Sequence, residues 1–168
     1  MQRRTLLKLG LWSGALLGVA GAGAAAWTPG WQDARLSGPA REVFAAVARA
    51  VLQGALPEDP QVQAGALAQH LQRLEASIAG LPPATRAELS DLLALLSLAP
   101  GRLALTGLST AWSRATVPEL QAALQDMRRS GSQTRRQVYQ ALRDLTNAAW
   151  FADAGTWALL GYPGPYRI

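Results

Sequence analysis

Apolar side chains recur every three or four residues along most of this chain, and the runs are broken by proline and glycine. That period belongs to one face of an α-helix, and no alternating stretch is long enough to propose a sheet. PAREVFAAVARAVLQG, from Pro39, sets Val43, Val47 and Val51 beside Phe44, Ala48 and Leu52 at four-residue spacing. Pro39 suits a first helical turn and Gly54 a stop. After the loop ALPEDP, residues 61–79 repeat the pattern with Leu67, Leu71, Leu74 and Ile78 on one side. Gly80-Leu81-Pro82-Pro83 breaks that run, and Thr85 with Glu88 offers a capping box for a helix bearing Leu89, Leu92, Leu93 and Leu96. Pro100-Gly101 ends it, and residues 103–115 read as a further helix with Gly107 inside. Thr116 with Glu119 offers a second capping box, ahead of a face made by Leu120, Leu124 and Met127. Ser130-Gly131-Ser132 separates that helix from the last long one, about 133–150, which carries Val138, Leu142, Leu145 and Ala149.

The expected fold is therefore all-α: an irregular single-domain bundle of about six helices. The closing FADAGTWALLGYPGPYRI differs, because Pro163-Gly164-Pro165 sits among Trp157, Tyr162 and Tyr166. It reads as a C-terminal aromatic coil, ordered only if its rings find something to pack on.

The N-terminus reads as an export segment. Arg3, Arg4 and Lys8 form a positive head, and the 19 residues from Leu9 to Trp27 carry no charge. Glycines at 10, 14, 18, 21 and 23 dilute the run below the hydrophobicity of an ordinary spanning helix. Ala24 and Ala26 supply an Ala-x-Ala cleavage site before Trp27. QRRTLLK, with Arg3, Arg4, Leu6, Leu7 and Lys8, resembles a twin-arginine signal, although Gln2 and Leu6 stand where Ser and Phe are commoner. The alternatives are a general secretion signal or a plain anchor. The twin-arginine route carries folded cargo, so the resemblance implies periplasmic work, free or tethered at the inner membrane, with the twin-arginine translocase as a transient partner. Trp27 to Ser37, with Pro29 and Gly30, reads as a tether, so the expected division is a signal at 1–26, a tether at 27–37 and a helical domain at 38–168.

Catalytic constellations are few. The chain has no cysteine, which excludes thiol catalysis, disulfides, iron–sulfur ligation and covalent c-type haem within it. Its one histidine, His70, lies among leucines with no companions for a general base or a metal site. His70 and Met127 are a haem-type axial pair by chemistry, but one of each at unknown distance supports little. Glu58 and Asp59 share a proline loop with no triad or dyad partner nearby. No cofactor or metal site is expected. The formal net charge of +5 falls to +2 once Arg3, Arg4 and Lys8 are set aside, which is no argument for nucleic acid. Arg128, Arg129, Arg135, Arg136 and Arg143 gather at one interhelical corner. They read either as a solvated face paired with Asp126 and Asp144, or as an electropositive contact for an acidic protein or phospholipid.

FAAVARAVLQGALP at 44–57, MRRSGSQTRRQVYQALRDLTNAAWF at 127–151 and TWALLGYPGP at 156–165 together resemble the gluconate 2-dehydrogenase subunit 3 family. These are small accessory, or gamma, subunits of membrane-associated flavin dehydrogenases. The terminal block carries most of the likeness, while the first is a generic amphipathic helix. The resemblance implies a non-enzymatic chain that binds, helps mature and co-exports a large FAD-dependent partner of the glucose–methanol–choline type. Electrons would leave that partner through a cytochrome c subunit or another acceptor. It also implies a partner interface at Trp157, Tyr162, Pro163, Gly164, Pro165 and Tyr166. The loop at 54–60 is short for the family pattern. The rival readings are a stand-alone periplasmic or anchored helical protein and, after it, a small hydrolase built around His70.

Overall fold

The computed structural model describes residues 27–161, so the export residues Arg3, Arg4, Leu6, Leu7, Lys8, Ala24 and Ala26, and the terminal Tyr162, Pro163, Gly164, Pro165 and Tyr166, lie outside the described residues. Within them the fold is an irregular all-α bundle of six helices: α1 (Gly38–Val51), α2 (Pro60–Ala79), α3 (Pro83–Ser97), α4 (Ala99–Thr106), α5 (Val117–Arg129) and α6 (Gln133–Phe151). Two short strands, β1 (Trp31–Gln32) and β2 (Arg35–Leu36), precede the bundle, and a 3-10 helix (Ala154–Leu160) follows it.

α1 is the central helix because it is apolar on more than one side. Ala40, Val43, Phe44, Ala46, Val47 and Ala48 are all fully buried, and the helix packs against α2, α3, α5 and α6. Its neighbours each bring a single stripe: Leu71, Leu74 and Ile78 from α2, Leu89, Leu93 and Leu96 from α3, Leu120, Leu124 and Met127 from α5, and Val138, Leu142 and Ala149 from α6.

The helix ends follow local chemistry. Asp59 caps α2, its carboxylate accepting from Gln61 N at 2.9 Å and Val62 N at 3.0 Å. Thr116 and Glu119 form the expected reciprocal box on α5, in which Thr116 N donates to Glu119 Oε2 at 2.8 Å. The box expected at Thr85 and Glu88 does not form. Pro82 is the cap residue of α3 and Pro83 begins the helix, which places Thr85 inside the first turn.

Three expectations are corrected. Residues 103–115 are not one helix: α4 ends at Thr106, and Gly107, at φ +77°, turns the chain out of it. The loop beyond is held by buried Arg102, which donates to Leu108 O and Ser109 O at 3.2 Å each, and by Trp112 Nε1, which donates to Leu96 O at 2.8 Å. Residues 154–160, read as the start of the aromatic coil, form the 3-10 helix instead. Thr156 Oγ1 donates to Asp153 O at 2.7 Å, so the turn after α6 continues in tight helical form.

The third correction concerns the segment read as a tether. β1 and β2 pair antiparallel, with Trp31 opposite Leu36 and Gln32 opposite Arg35. The turn is made by Asp33 at φ 51° and Ala34 at φ 59°, a left-handed pair without glycine. The hairpin is docked on the bundle. Gly30 N donates to Ser90 O at 3.1 Å and Trp31 N to Ser90 Oγ at 3.0 Å, while Leu36 N donates to Glu75 Oε1 at 3.3 Å. A Cβ on Gly30 would stand 2.4 Å from Leu93 Cβ, so only glycine permits this approach to α3. Among the described residues no single helix is long and apolar enough to cross a membrane.

Candidate functional site

One corner of the bundle gathers the end of α1, the start of α2, the end of α6 and the 3-10 helix. Ala48, Leu52 and Trp150 form a second small core there, flanked by half-buried Val51, Ala55, Leu56, Ala66, Leu67 and Phe151. Val62, one helical turn before Ala66 on α2, is 57 % exposed. Gln63 Nε2 donates to Pro57 O at 3.0 Å and ties the proline loop to α2. Trp157, the one aromatic of the expected interface that is described, is half-buried in the 3-10 helix. Its Nε1 donates to Phe151 O at 2.8 Å, so the ring is turned toward the end of α6. Arg73 on α2 donates to Ala149 O at 3.2 Å and pairs with Asp153 at 3.1 Å, which clamps the same end of α6 onto α2.

His70 lies beside this corner, fully buried in the seam between α2 and α6. Its ring centroid is 6.0 Å from that of Trp150, with the planes tilted by 59°. Burial pushes its pKa down to about 4, and the Arg73 guanidinium adds to the same direction. Nδ1 and Nε2 of His70, Nε1 of Trp150 and Oγ1 of Thr146 have no hydrogen-bond partner among the described residues. Two surface depressions among the described residues do not reach His70: one of about 360 Å³ lies along Thr106–Thr110 and α5, and one of about 650 Å³ lies between β2 and α2.

The first depression carries Glu119 and Asp126, each already engaged. Glu119 is held below its usual pKa by the hydrogen bonds from the Thr116 backbone and hydroxyl, and Asp126 pairs with Arg135 at 2.8 Å. The second is closed on one side by the Arg41–Glu75 ion pair that also holds the hairpin. Among the described residues no group of three or more His, Asp or Glu is placed to hold a metal ion.

Met127 and His70 belong to different seams, α5 and α2, and Met127 is packed in the main core. Of the corner arginines, Arg135 and Arg143 take the expected aspartate partners, Arg143 pairing with Asp144 at 3.3 Å. The orphan Thr146 and Trp150, and the Glu75 clamp on the hairpin, carry no signal in the sequence, because each depends on a residue far away along the chain. No family model matches this chain, and no curated protein or solved structure matches it either.

Proposed function

We propose that this chain is a non-catalytic small subunit that binds a large FAD-dependent dehydrogenase of the glucose–methanol–choline type, helps it mature and takes it to the periplasm by the twin-arginine route. One observation carries the reading. The first two blocks on which the family resemblance rests, 44–57 and 127–151, are separated in sequence by α2, α3 and α4, yet parts of both meet at a single corner: Ala48, Leu52 and Leu56 from the first, Trp150 and Phe151 from the second. The third, 156–165, follows the second closely in sequence, and its Trp157 donates to Phe151 O at the same corner.

The corner also has the character of a docking surface. Half-buried Leu56, Leu67 and Phe151 and exposed Val62 leave apolar area uncovered, and the chain leaves the 3-10 helix at Gly161 beside them. Tyr162, Pro163, Gly164, Pro165 and Tyr166 follow in the sequence and complete the proposed interface, with aromatic side chains of the kind favoured at interface centres. Catalysis belongs to the flavoprotein, electrons leave it through a cytochrome c subunit or another acceptor, and this chain holds no cofactor of its own. Truncation after Leu160 tests the reading through a pull-down of the flavoprotein. Capture falls at least tenfold while the bundle stays helical by circular dichroism; undiminished capture removes this segment from the interface.

A further inference from the structure

The corner between α5 and α6 lies at the pole where the chain joins the bundle. Gln121, near the start of α5, donates through Nε2 to Ala50 O at 3.2 Å, so α5 begins where α1 ends. α5 and α6 are joined by residues 130–132 alone and pack against each other, so α6 returns antiparallel and runs alongside α1 in the same direction. Trp150 at the end of α6 accordingly packs on Ala48 and Leu52 at the end of α1. The α5–α6 turn therefore shares its pole with the start of α1 and with the hairpin that leads into it.

This turn is strongly basic and carries no large apolar centre. Arg128, Arg129, Arg136 and Arg143 are all exposed. Arg128 and Arg129 make no ion pair among the described residues, and Arg136 spends one nitrogen on Ser130 O. Asp126 is taken by Arg135 and Asp144 by Arg143 among the described residues. The exposed large hydrophobics, Val62 and Leu103, lie on α2 and α4. The turn itself exposes no large apolar side chain to form the desolvated centre of a protein interface; exposed Leu103 is on α4, whose end accepts from Arg135 Nε through Leu105 O at 2.9 Å. A plane of anionic headgroups needs only guanidinium density. The 19 uncharged residues from Leu9 to Trp27 immediately precede the hairpin at the same pole.

We infer that Arg128, Arg129 and Arg136 at the turn, with Arg143 two helical turns further along the same side of α6, form a lipid-facing patch that seats this pole of the bundle on an anionic membrane surface. The arginines fix which face of the bundle meets the headgroups. The apolar corner with Trp157 is then at the other end of α6, clear of the lipid and open to a partner. The patch does not rest on the identity of that partner.

The test uses the full chain, which has no cysteine of its own, with Gly131→Cys labelled by a fluorophore and Glu58→Cys as a label in the proline loop at the opposite pole. A Cβ at Gly131 meets nothing within 4 Å, so the label is tolerated. Quenching by headgroup nitroxide lipids is compared between vesicles of zwitterionic lipid and vesicles with about one third phosphatidylglycerol. The patch requires the Gly131→Cys label to be quenched roughly fivefold more on anionic vesicles, with the gain lost at high salt, and the Glu58→Cys label to be indifferent. The fourfold variant Arg128→Gln, Arg129→Gln, Arg136→Gln and Arg143→Gln, checked for unchanged helicity, must lose the gain. Equal quenching on both vesicles, or a gain that survives in the variant, overturns the inference. Release by soluble glycerophosphate at millimolar concentration would assign the site to free phosphate, and release by polyglutamate alone would assign it to an acidic protein; either overturns the membrane assignment.

Discussion

His70 and Trp150 face each other across the α2–α6 seam with ring centroids 6.0 Å apart, and both are buried with their ring nitrogens unpartnered. Burial without a protein partner gives these ring nitrogens no hydrogen bond from the described residues to hold the seam. The seam is held instead by the apolar stripe on either side and by the Arg73 clamp on Ala149 and Asp153.

A pH dependence follows from this. In the unfolded chain His70 takes a proton near 6.5, whereas in the fold it resists one until about pH 4. A histidine with a depressed folded pKa leaves stability fully present above 6.5 and draws it down as pH falls from 6.5 toward 4, because the unfolded state binds the extra proton. The melting temperature should fall over that window, and His70→Leu should flatten the fall while leaving stability at pH 7 equal or higher. An unchanged slope in His70→Leu would assign the pH dependence to other groups. The same substitution should leave a bound flavoprotein's turnover within about twofold, since a removed acid–base group costs on the order of 10²-fold or more.

The hairpin gives a local stability test. Gly30→Ala places a methyl group against Leu93 Cβ and Ser90 O, and overpacking of this kind costs about 1–3 kcal/mol. Hydrogen exchange should show the amides of Trp31 and Leu36 losing protection first, while those of α5 and α6 keep theirs. Uniform loss across the bundle would mean that the hairpin is part of the global folding unit.

What the sequence made legible was the local chemistry. The spacing of Val43, Phe44, Val47 and Ala48 marks α1 and its central place, and the stripes of α2, α5 and α6 end within a residue or two of their proline, glycine and serine signals. Gly107 looks like one more position in an apolar run, and its left-handed conformation, with Arg102 and Trp112 holding the loop beyond, makes it a stop. The hairpin turns on Asp33 and Ala34, which lack the usual glycine, and docks on Ser90, 59 residues from Trp31. The site is legible by halves in the same way. Trp157 stands out as an aromatic near prolines, but Leu56, Leu67 and Phe151 gather around Ala48, Leu52 and Trp150 only through the packing of α1, α2 and α6.

The α5 cap offers a calibration of local against tertiary stability. Thr116→Ala removes the hydroxyl that accepts from Glu119 N and should cost about 1 kcal/mol, while Thr116→Ser should cost little. Chemical denaturation of the two variants decides it, and equal stability of Thr116→Ala and the parent would mean that packing alone sets the start of α5.

The export reading has its own test. Arg3→Lys with Arg4→Lys keeps the charge and removes guanidinium geometry. Fractionation should find the double variant retained in the cytoplasm; normal export would contradict a twin-arginine signal and return the segment to a general secretion signal or anchor.

The central claim is that a flavoprotein is this chain's working partner. Affinity purification of the tagged, exported chain from periplasm and membrane extracts, with absorbance and mass spectrometry of what elutes, tests it most directly. The account predicts a large protein carrying bound flavin in near-stoichiometric amount, lost when the chain is truncated after Leu160. Recovery of the chain alone, or with partners that carry no flavin, would contradict it.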